Sequence, residues 1–166
     1  MIYRKLRNMK KILLSLLLIT SPCLAEVRVV DGDSLEINNT RIRIDGIDAP
    51  EFFQTCQDAN GKNYDCGQEA KQHLQDLIGE HEVSCNCLPK PDRYKRQICE
   101  CFAGGVSLNR QMVADGYARV YRSEKYTADE ENAEHEHLGI WQGKHMRPAL
   151  YRILHQNERK KTLKNS

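Results

Sequence analysis

The sequence predicts an α+β domain: a five-stranded barrel with about three helices. Three observations carry that expectation. Residues Glu26 to Ile47 alternate apolar and polar side chains with the period of strands. Residues 67–78 show the wider period of an amphipathic helix. Two further strand-like runs, His81–Leu88 and Gln97–Ala103, come before helical sequence resumes. Three strands, a helix, two strands and then helices is the order of an OB-type Greek-key barrel with an appended helical part.

Ahead of the first strand the chain reads MIYRKLRNMKK, then ILLSLLLIT, then SPCLA. A basic segment, a short apolar run and a small-residue end are the parts of a secretory signal, with cleavage expected after Ala25. The apolar run falls short of the ~20 residues needed to span a bilayer. Pro22 before Cys23 makes that cysteine a poor lipidation site. Residues 1–25 hold Arg4, Lys5, Arg7, Lys10 and Lys11 and no acid, so 25 Lys+Arg fall to 20 against 23 Asp+Glu, a formal net of −3 rather than +2. Global charge therefore does not advertise a polyanion partner, and an anion site has to be built locally.

Within the strands, Leu35 and Ile37 alternate with polar residues, and Ile42 and Ile44 alternate with Arg41 and Arg43. Asn38-Asn39 between them suits a two-residue hairpin turn, because Asn tolerates positive φ. Gly32 and Gly46 interrupt the pattern where a bulge or bend would re-aim side chains. A loop with Phe52-Phe53 and Cys56/Cys66 follows. In the helix, Ala70, Leu74, Leu77 and Ile78 share one face, and Gly79 stops it. Ser107 is placed to cap a second helix through Asp115, ended by Gly116, and Thr127 a third, acidic helix running towards Trp141. Lys144–Ser166 has seven Lys/Arg against one Glu and is expected to fray. The predicted organisation is a signal at 1–25, one domain at 26–143 and a basic tail at 144–166.

The chemistry concentrates where the strands break. Asp31-Gly32-Asp33 sits between the first two, and Asp48-Ala49-Pro50-Glu51 follows the third. Hard oxygen donors in that number suit calcium or magnesium. An EF-hand loop also starts D-x-D, but its sixth position here is Glu36 rather than Gly and its twelfth is Ile42 rather than Glu. A solvated strand face is the plain alternative, and the punctuation by Gly32, Gly46 and Pro50 speaks against it. Arg43 leads into Asp48, and Arg96 ends the loop Asp92-Arg-Tyr-Lys-Arg96. Forked guanidinium groups beside a cation are what a phosphodiester needs as negative charge builds on its oxygens.

The segments VVDGDS, RIRIDGIDAPE, CGQEA, DRYKR and GIWQG, in this order and spacing, resemble the staphylococcal nuclease (thermonuclease) family over about residues 27–143. The resemblance implies the OB-type barrel and a Ca²⁺-dependent endonuclease that hydrolyses phosphodiester bonds of DNA and/or RNA and leaves 3′-phosphate products. It implies that Asp33, Asp48 and the backbone carbonyl of Ala49 hold Ca²⁺, with Asp31 supporting from behind. Glu51 would orient or deprotonate the attacking water. Arg43 and Arg96 would bind the phosphate and stabilise the transition state, and Tyr94 would flank the nucleotide. The sequence departs from the family pattern at three places. Ala49 stands where Thr is usual, which a carbonyl ligand survives. Lys95 stands where the loop usually has Gly, where it would strain a turn needing φ > 0 or add a phosphate contact. Tyr121 and Tyr126 are out of register with the tyrosines that close the family's nucleotide pocket.

Three readings are open at this point. The first is an exported, monomeric nuclease without stable membrane association. The second is a catalytically silent OB-type binding module, which would be expected to have lost one of Asp33, Arg43, Asp48, Glu51 or Arg96; all five are present. The third takes Cys85-Asn-Cys87 and Cys99-Glu-Cys101 as a Zn²⁺ site, although one-residue spacing is unlike the usual knuckle. An exported chain with six remaining cysteines favours disulfides. If strands 83–88 and 97–103 pair antiparallel, opposed residues have a constant index sum, which matches Cys85 with Cys101 and Cys87 with Cys99 at ~4.5–5.5 Å. The alternative pairing would cross the bridges and shear the register. Cys56 and Cys66 then close the loop after Glu51.

Overall fold

The computed structural model describes residues 26–155, so the predicted signal at 1–25 lies outside the described residues. In chain order the elements are β1 (Val27–Asp31), β2 (Ser34–Ile37), β3 (Thr40–Ile44), β4 (Ile47–Asp48), β5 (Cys56–Gln57), β6 (Asn63–Tyr64), α1 (Cys66–Ile78), β7 (Val83–Cys87), β8 (Gln97–Ala103), β9 (Val106–Ser107), α2 (Leu108–Ala114), β10 (Arg119–Val120) and α3 (Thr127–His135). A 3₁₀ turn at Gly139–Gln142 and a helix over 148–155, here α4, complete the described chain. The main strands run β1-β2-β3-β8-β7 in one curled sheet, with β9 added to β8. All pairings in it are antiparallel except β3 with β8. That is the OB-type barrel of the staphylococcal-nuclease kind that the order of elements predicts.

Local chemistry explains the turns. Asn38 and Asn39 take φ of 49° and 64°, so the two-residue hairpin turn forms as expected and Ile37 pairs with Thr40. The bulge falls between Val29 and Asp31, just ahead of Gly32. Leu35, Ile42, Ile44 and Ile47 fill the barrel from the sheet side, and Ala70, Leu74 and Ile78 of α1 with Leu108, Met112 and Val113 of α2 close it. Each large side chain so buried contributes about 1.5–3 kcal/mol. Asn109 is a buried polar tie. Its amide donates to the Asp45 and Cys99 carbonyls at 2.8 and 3.2 Å, and its oxygen accepts from the Cys101 N–H at 2.8 Å.

The cysteines pair as Cys56–Cys66, Cys85–Cys101 and Cys87–Cys99. The β7–β8 register opposes Cys85 to Cys101 and Cys87 to Cys99, with Cα separations of 4.1 and 4.0 Å. All four thiols of the zinc reading are thus consumed, and three disulfides belong to an oxidising environment.

Two expectations are corrected. The third helix ends at His135, and its cap position is Tyr126 rather than Thr127. The chain leaves the helix through His137, at φ 55°, with the His137 and Leu138 N–H groups donating to the Glu134 and Ala133 carbonyls at 3.2 and 2.9 Å; beyond it the Ile140 N–H donates to the Gly116 carbonyl at 2.9 Å. That seats Ile140 and Trp141 in a second cluster around the Cys56–Cys66 bridge. The basic tail does not fray throughout. Residues 148–155 are helical, with Pro148 suited to the first turn; residues 156–166 lie outside the described residues. Among the described residues no helix is long and apolar enough to cross a membrane.

Candidate active site

Three short segments within residues 31–51 deliver the polar cluster at one end of the barrel. The β1–β2 turn brings Asp31 and Asp33. It can lie flat only because residue 32 is glycine: a Cβ there would stand 2.7 Å from that of Ala49 and 2.9 Å from that of Ala70. Strand β3 brings Arg43, opposite Ser34. Strand β4, held by pairing of Asp48 with Arg119, brings Asp48 and the turn to Glu51. The start of α1 presses on that turn so closely that a Cβ at Gly67 would overlap the Glu51 carbonyl.

The contacts knit these segments together. The Arg43 guanidinium spans Asp33, with which it forms a close ion pair, and Asp48, whose Oδ1 it meets at 3.1 Å. It also donates to the Ile47 carbonyl at 3.0 Å. Asp33 and Asp48 are buried. Asp33 accepts from the Ala49 N–H at 2.9 Å and the Ser34 hydroxyl at 3.1 Å. Asp31 accepts from the Asp33 N–H at 3.1 Å. Gln54, fully buried, fixes the next loop: its oxygen accepts from the Glu51 N–H at 3.2 Å and its amide donates to the Met146 carbonyl at 2.7 Å.

The sequence reading missed one member. Arg152 of α4 donates to Glu51 Oε1 at 2.5 Å and to Asp48 Oδ1 and Oδ2 at 3.0 and 3.2 Å. The available signal was Pro148 followed by the helical spacing of Leu150, Ile153 and Leu154, which a purely charge-based reading of the tail passes over.

The electrostatics are those of a site short of positive charge. Burial pushes the Asp31 carboxyl up to about 7, reinforced by the neighbouring Asp33 charge. Burial also raises Asp48; Arg152 opposes this, Asp33 adds to it and Arg43 opposes it. Burial works against the Arg43 charge, but Asp33, Asp48 and Asp31 outweigh it and strengthen its hold on its proton. Buried carboxylates that protonate this readily suit a hard divalent cation. Among the described residues no group of three or more His, Cys, Asp or Glu gathers for a metal. A cation here would therefore draw on the two buried carboxylates, Asp33 and Asp48, and complete its shell with carbonyl and water oxygens.

The remaining predicted residues lie on the β7–β8 loop and, among the described residues, share no hydrogen bond or ion pair with that cluster. Asp92 organises the loop. Its Oδ1 accepts from the Tyr94 and Arg96 N–H groups at 2.8 and 2.9 Å, and its Oδ2 accepts from Arg96 Nε at 2.9 Å. Lys95 has φ of 63°, so the position that usually holds Gly does need the left-handed conformation. Tyr94 is exposed, with the Arg93 and Arg96 guanidinium carbons 4.8 and 5.6 Å from its ring centre. The parallel register sets Ile98 beside Arg43. Arg96 lies one residue ahead of β8, at the loop end of that pairing. Of the two other tyrosines, Tyr126 is buried with its hydroxyl donating to Glu100 at 3.2 Å, and Tyr121 packs under Arg122.

Comparison with known proteins gives this arrangement a family. A succinoglycan biosynthesis protein of Rhizobium meliloti is 31% identical over 124 residues, covering 72% of this chain; the chain spans 65% of that relative's length. An uncharacterized endonuclease of Haemophilus influenzae is 31% identical over 152 residues, covering 81% of this chain and 79% of its own. One of Escherichia coli O157:H7 is 31% identical over 126 residues, covering 69% and 74%. Residues 41–143 match the family described as staphylococcal nuclease homologue, which takes in Arg43, Asp48, Glu51 and the Asp92–Arg96 loop and stops short of Arg152. With the barrel, the register and more than half the chain agreeing, the protein belongs to the staphylococcal nuclease homologue family.

Proposed function

We propose that the protein is an exported nuclease that hydrolyses phosphodiester bonds of DNA and/or RNA at the carboxylate end of the barrel. One observation carries the reading. Asp31, Asp33, Arg43, Asp48 and Glu51 converge there from three segments, on the fold of a nuclease family. The relatives from Haemophilus influenzae and Escherichia coli are named endonucleases, which supports the same activity. Residues 26–143 form the nuclease domain, acting as a monomer. The disulfides and the signal-like residues 1–25 support export to the periplasm or medium.

Asp33, Asp48 and the Ala49 carbonyl would hold Ca²⁺, with Asp31 behind them. When bound, the cation supplies charge neutralisation to the scissile phosphate. Glu51 accepts a proton from water as its oxygen attacks phosphorus. The bond to the 5′ oxygen breaks and that oxygen takes up a proton, leaving a 3′-phosphate and a 5′-hydroxyl. Arg43 and Arg96 donate to the phosphate oxygens as charge accumulates, and Tyr94 and Lys95 contact the flanking nucleotide. The test is incubation of purified protein with DNA and with RNA, in Ca²⁺ or in chelator, followed by analysis of product ends. Cleavage in Ca²⁺ alone, with 3′-phosphate ends, is expected. Undiminished cleavage in chelator would overturn the metal assignment, and no cleavage under any condition would favour the silent module.

A further inference from the structure

Resting on the cation reading above, we propose that α4 is an autoinhibitory strap: Arg152, which pairs with Asp48 and Glu51, competes with a divalent cation for Asp48, and binding of the cation releases the helix. The Arg152 guanidinium covers both groups that the reaction needs open, reaching Glu51 Oε1 and both oxygens of Asp48. A divalent ion bound to Asp48 at ~2.3–2.6 Å would stand within a few ångströms of that guanidinium, and the two charges repel.

The attachment of the segment is graded in a way that suits release. Its approach is firmly anchored. The Gln57 N–H donates to the Lys144 carbonyl at 2.8 Å, the buried Gln54 amide grips the Met146 carbonyl at 2.7 Å, and Gly143 lies against the Gln57 and Asp58 carbonyls. The helix that follows is thinly packed. Among its described residues only Pro148 is buried, while Leu150, Ile153 and Leu154 are 48%, 56% and 43% exposed. Its side-chain attachments include the Tyr151 hydroxyl, donating to the Phe53 carbonyl at 2.8 Å, and the Arg152 ion pairs. With so little apolar area holding α4, competition for Arg152's partners is enough to free it, and the chain can pivot after Met146. Arg152 also lies beyond the family match, which ends at residue 143.

The experiment compares wild type, Arg152→Gln and Arg147→Gln, without nucleic acid, by Ca²⁺ calorimetry and amide hydrogen exchange of residues 149–155. Arg147→Gln removes an exposed neighbouring charge without touching the carboxylates. The proposal expects Arg152→Gln to bind Ca²⁺ ~10-fold more tightly, within the usual range of coupling between sites, and Arg147→Gln to change affinity less than ~2-fold. It expects Ca²⁺ to speed exchange in wild-type α4, and exchange in Arg152→Gln to be fast from the start. Equal Ca²⁺ affinity in all three proteins, or α4 exchange unaltered by saturating Ca²⁺, would overturn the strap while leaving the cation site intact. Absence of Ca²⁺ binding in wild type and Arg152→Gln alike would overturn the cation reading and the strap with it.

Discussion

Arg43 and Arg96 are both paired with aspartate, yet Arg43 joins two turns, through Asp33 ten residues earlier and Asp48 five residues later, and Arg96 is held within one loop of five consecutive residues. Arg43 is enclosed: it joins Asp33 on one turn to Asp48 on another, and its side chain is 13% exposed. Arg96 is held by Asp92, four residues earlier, on a loop whose other side chains, Arg93, Tyr94 and Lys95, include two more cations. The first region is buried, negatively charged and part of the core's construction. The second is local, cationic and outside the core. A barrel that gathered a cation and a phosphate would use both: carboxylates where water is scarce, and exposed positive charge where a polyanion arrives. Removing Arg43 should damage fold and chemistry together, whereas removing Arg96 should damage chemistry alone.

The largest expected effect is at Glu51. Glu51→Gln keeps the volume and the Gln54 clip on its backbone but cannot accept a proton, and turnover should fall ~10²–10⁴-fold with circular dichroism unchanged. Arg43→Ala should follow, losing at least ~10²-fold in turnover. It also strands Asp33 and Asp48 in the interior, so urea melts should report a loss of roughly 3 kcal/mol. A kinetic loss without a stability loss would break the contrast between the regions.

The two regions should also differ in sign with pH. In chelator, Asp31 in the folded protein holds its proton up to about pH 7, above its ordinary value of 3.8. Its contribution to stability is therefore present at low pH and lost as pH rises from about 4 to about 7. Asp92 is shifted the other way. Burial alone would raise it, but hydrogen bonds from the Arg96 backbone and side chain and the Tyr94 backbone outweigh that and lower it. Its contribution is present above its unfolded value and lost as pH falls through the lowered one. Melting Asp31→Asn and Asp92→Asn against wild type across that range checks both; differences from wild type with the same pH slope would contradict the account. The smallest effect belongs to Lys95→Gly. Relief of the left-handed conformation should stabilise the protein by about 0.5–1 kcal/mol, which is within reach of a melt.

The same contrast explains what the sequence made legible. The β7–β8 loop, its disulfides and the Asn38-Asn39 turn are written in neighbouring residues or in a ladder whose index sum is constant, so they could be read directly. The convergence of Asp33, Arg43 and Asp48 was expected from resemblance more than from pattern, because nothing local says which turns meet. The buried ties were not legible. Gln54 and Asn109 look like ordinary polar loop and helix residues until Met146 and Asp45 arrive from 92 and 64 residues away. Arg152 was hidden for a similar reason: a basic tail reads as solvated, and its partners lie 101 and 104 residues earlier. The early end of α3 is a left-handed turn at His137, a position where a histidine does not advertise a helix stop as a glycine would.

The central claim is that the two regions serve one phosphate although, among the described residues, they share no side-chain hydrogen bond or ion pair. The most direct measurement is the turnover of Arg96→Ala on nucleic acid in saturating Ca²⁺, alongside its urea melt. A fall of at least ~10²-fold with stability within about 1 kcal/mol of wild type is the predicted result. A wild-type rate in a folded Arg96→Ala protein would contradict it, leaving the loop outside the site or its role with Lys95.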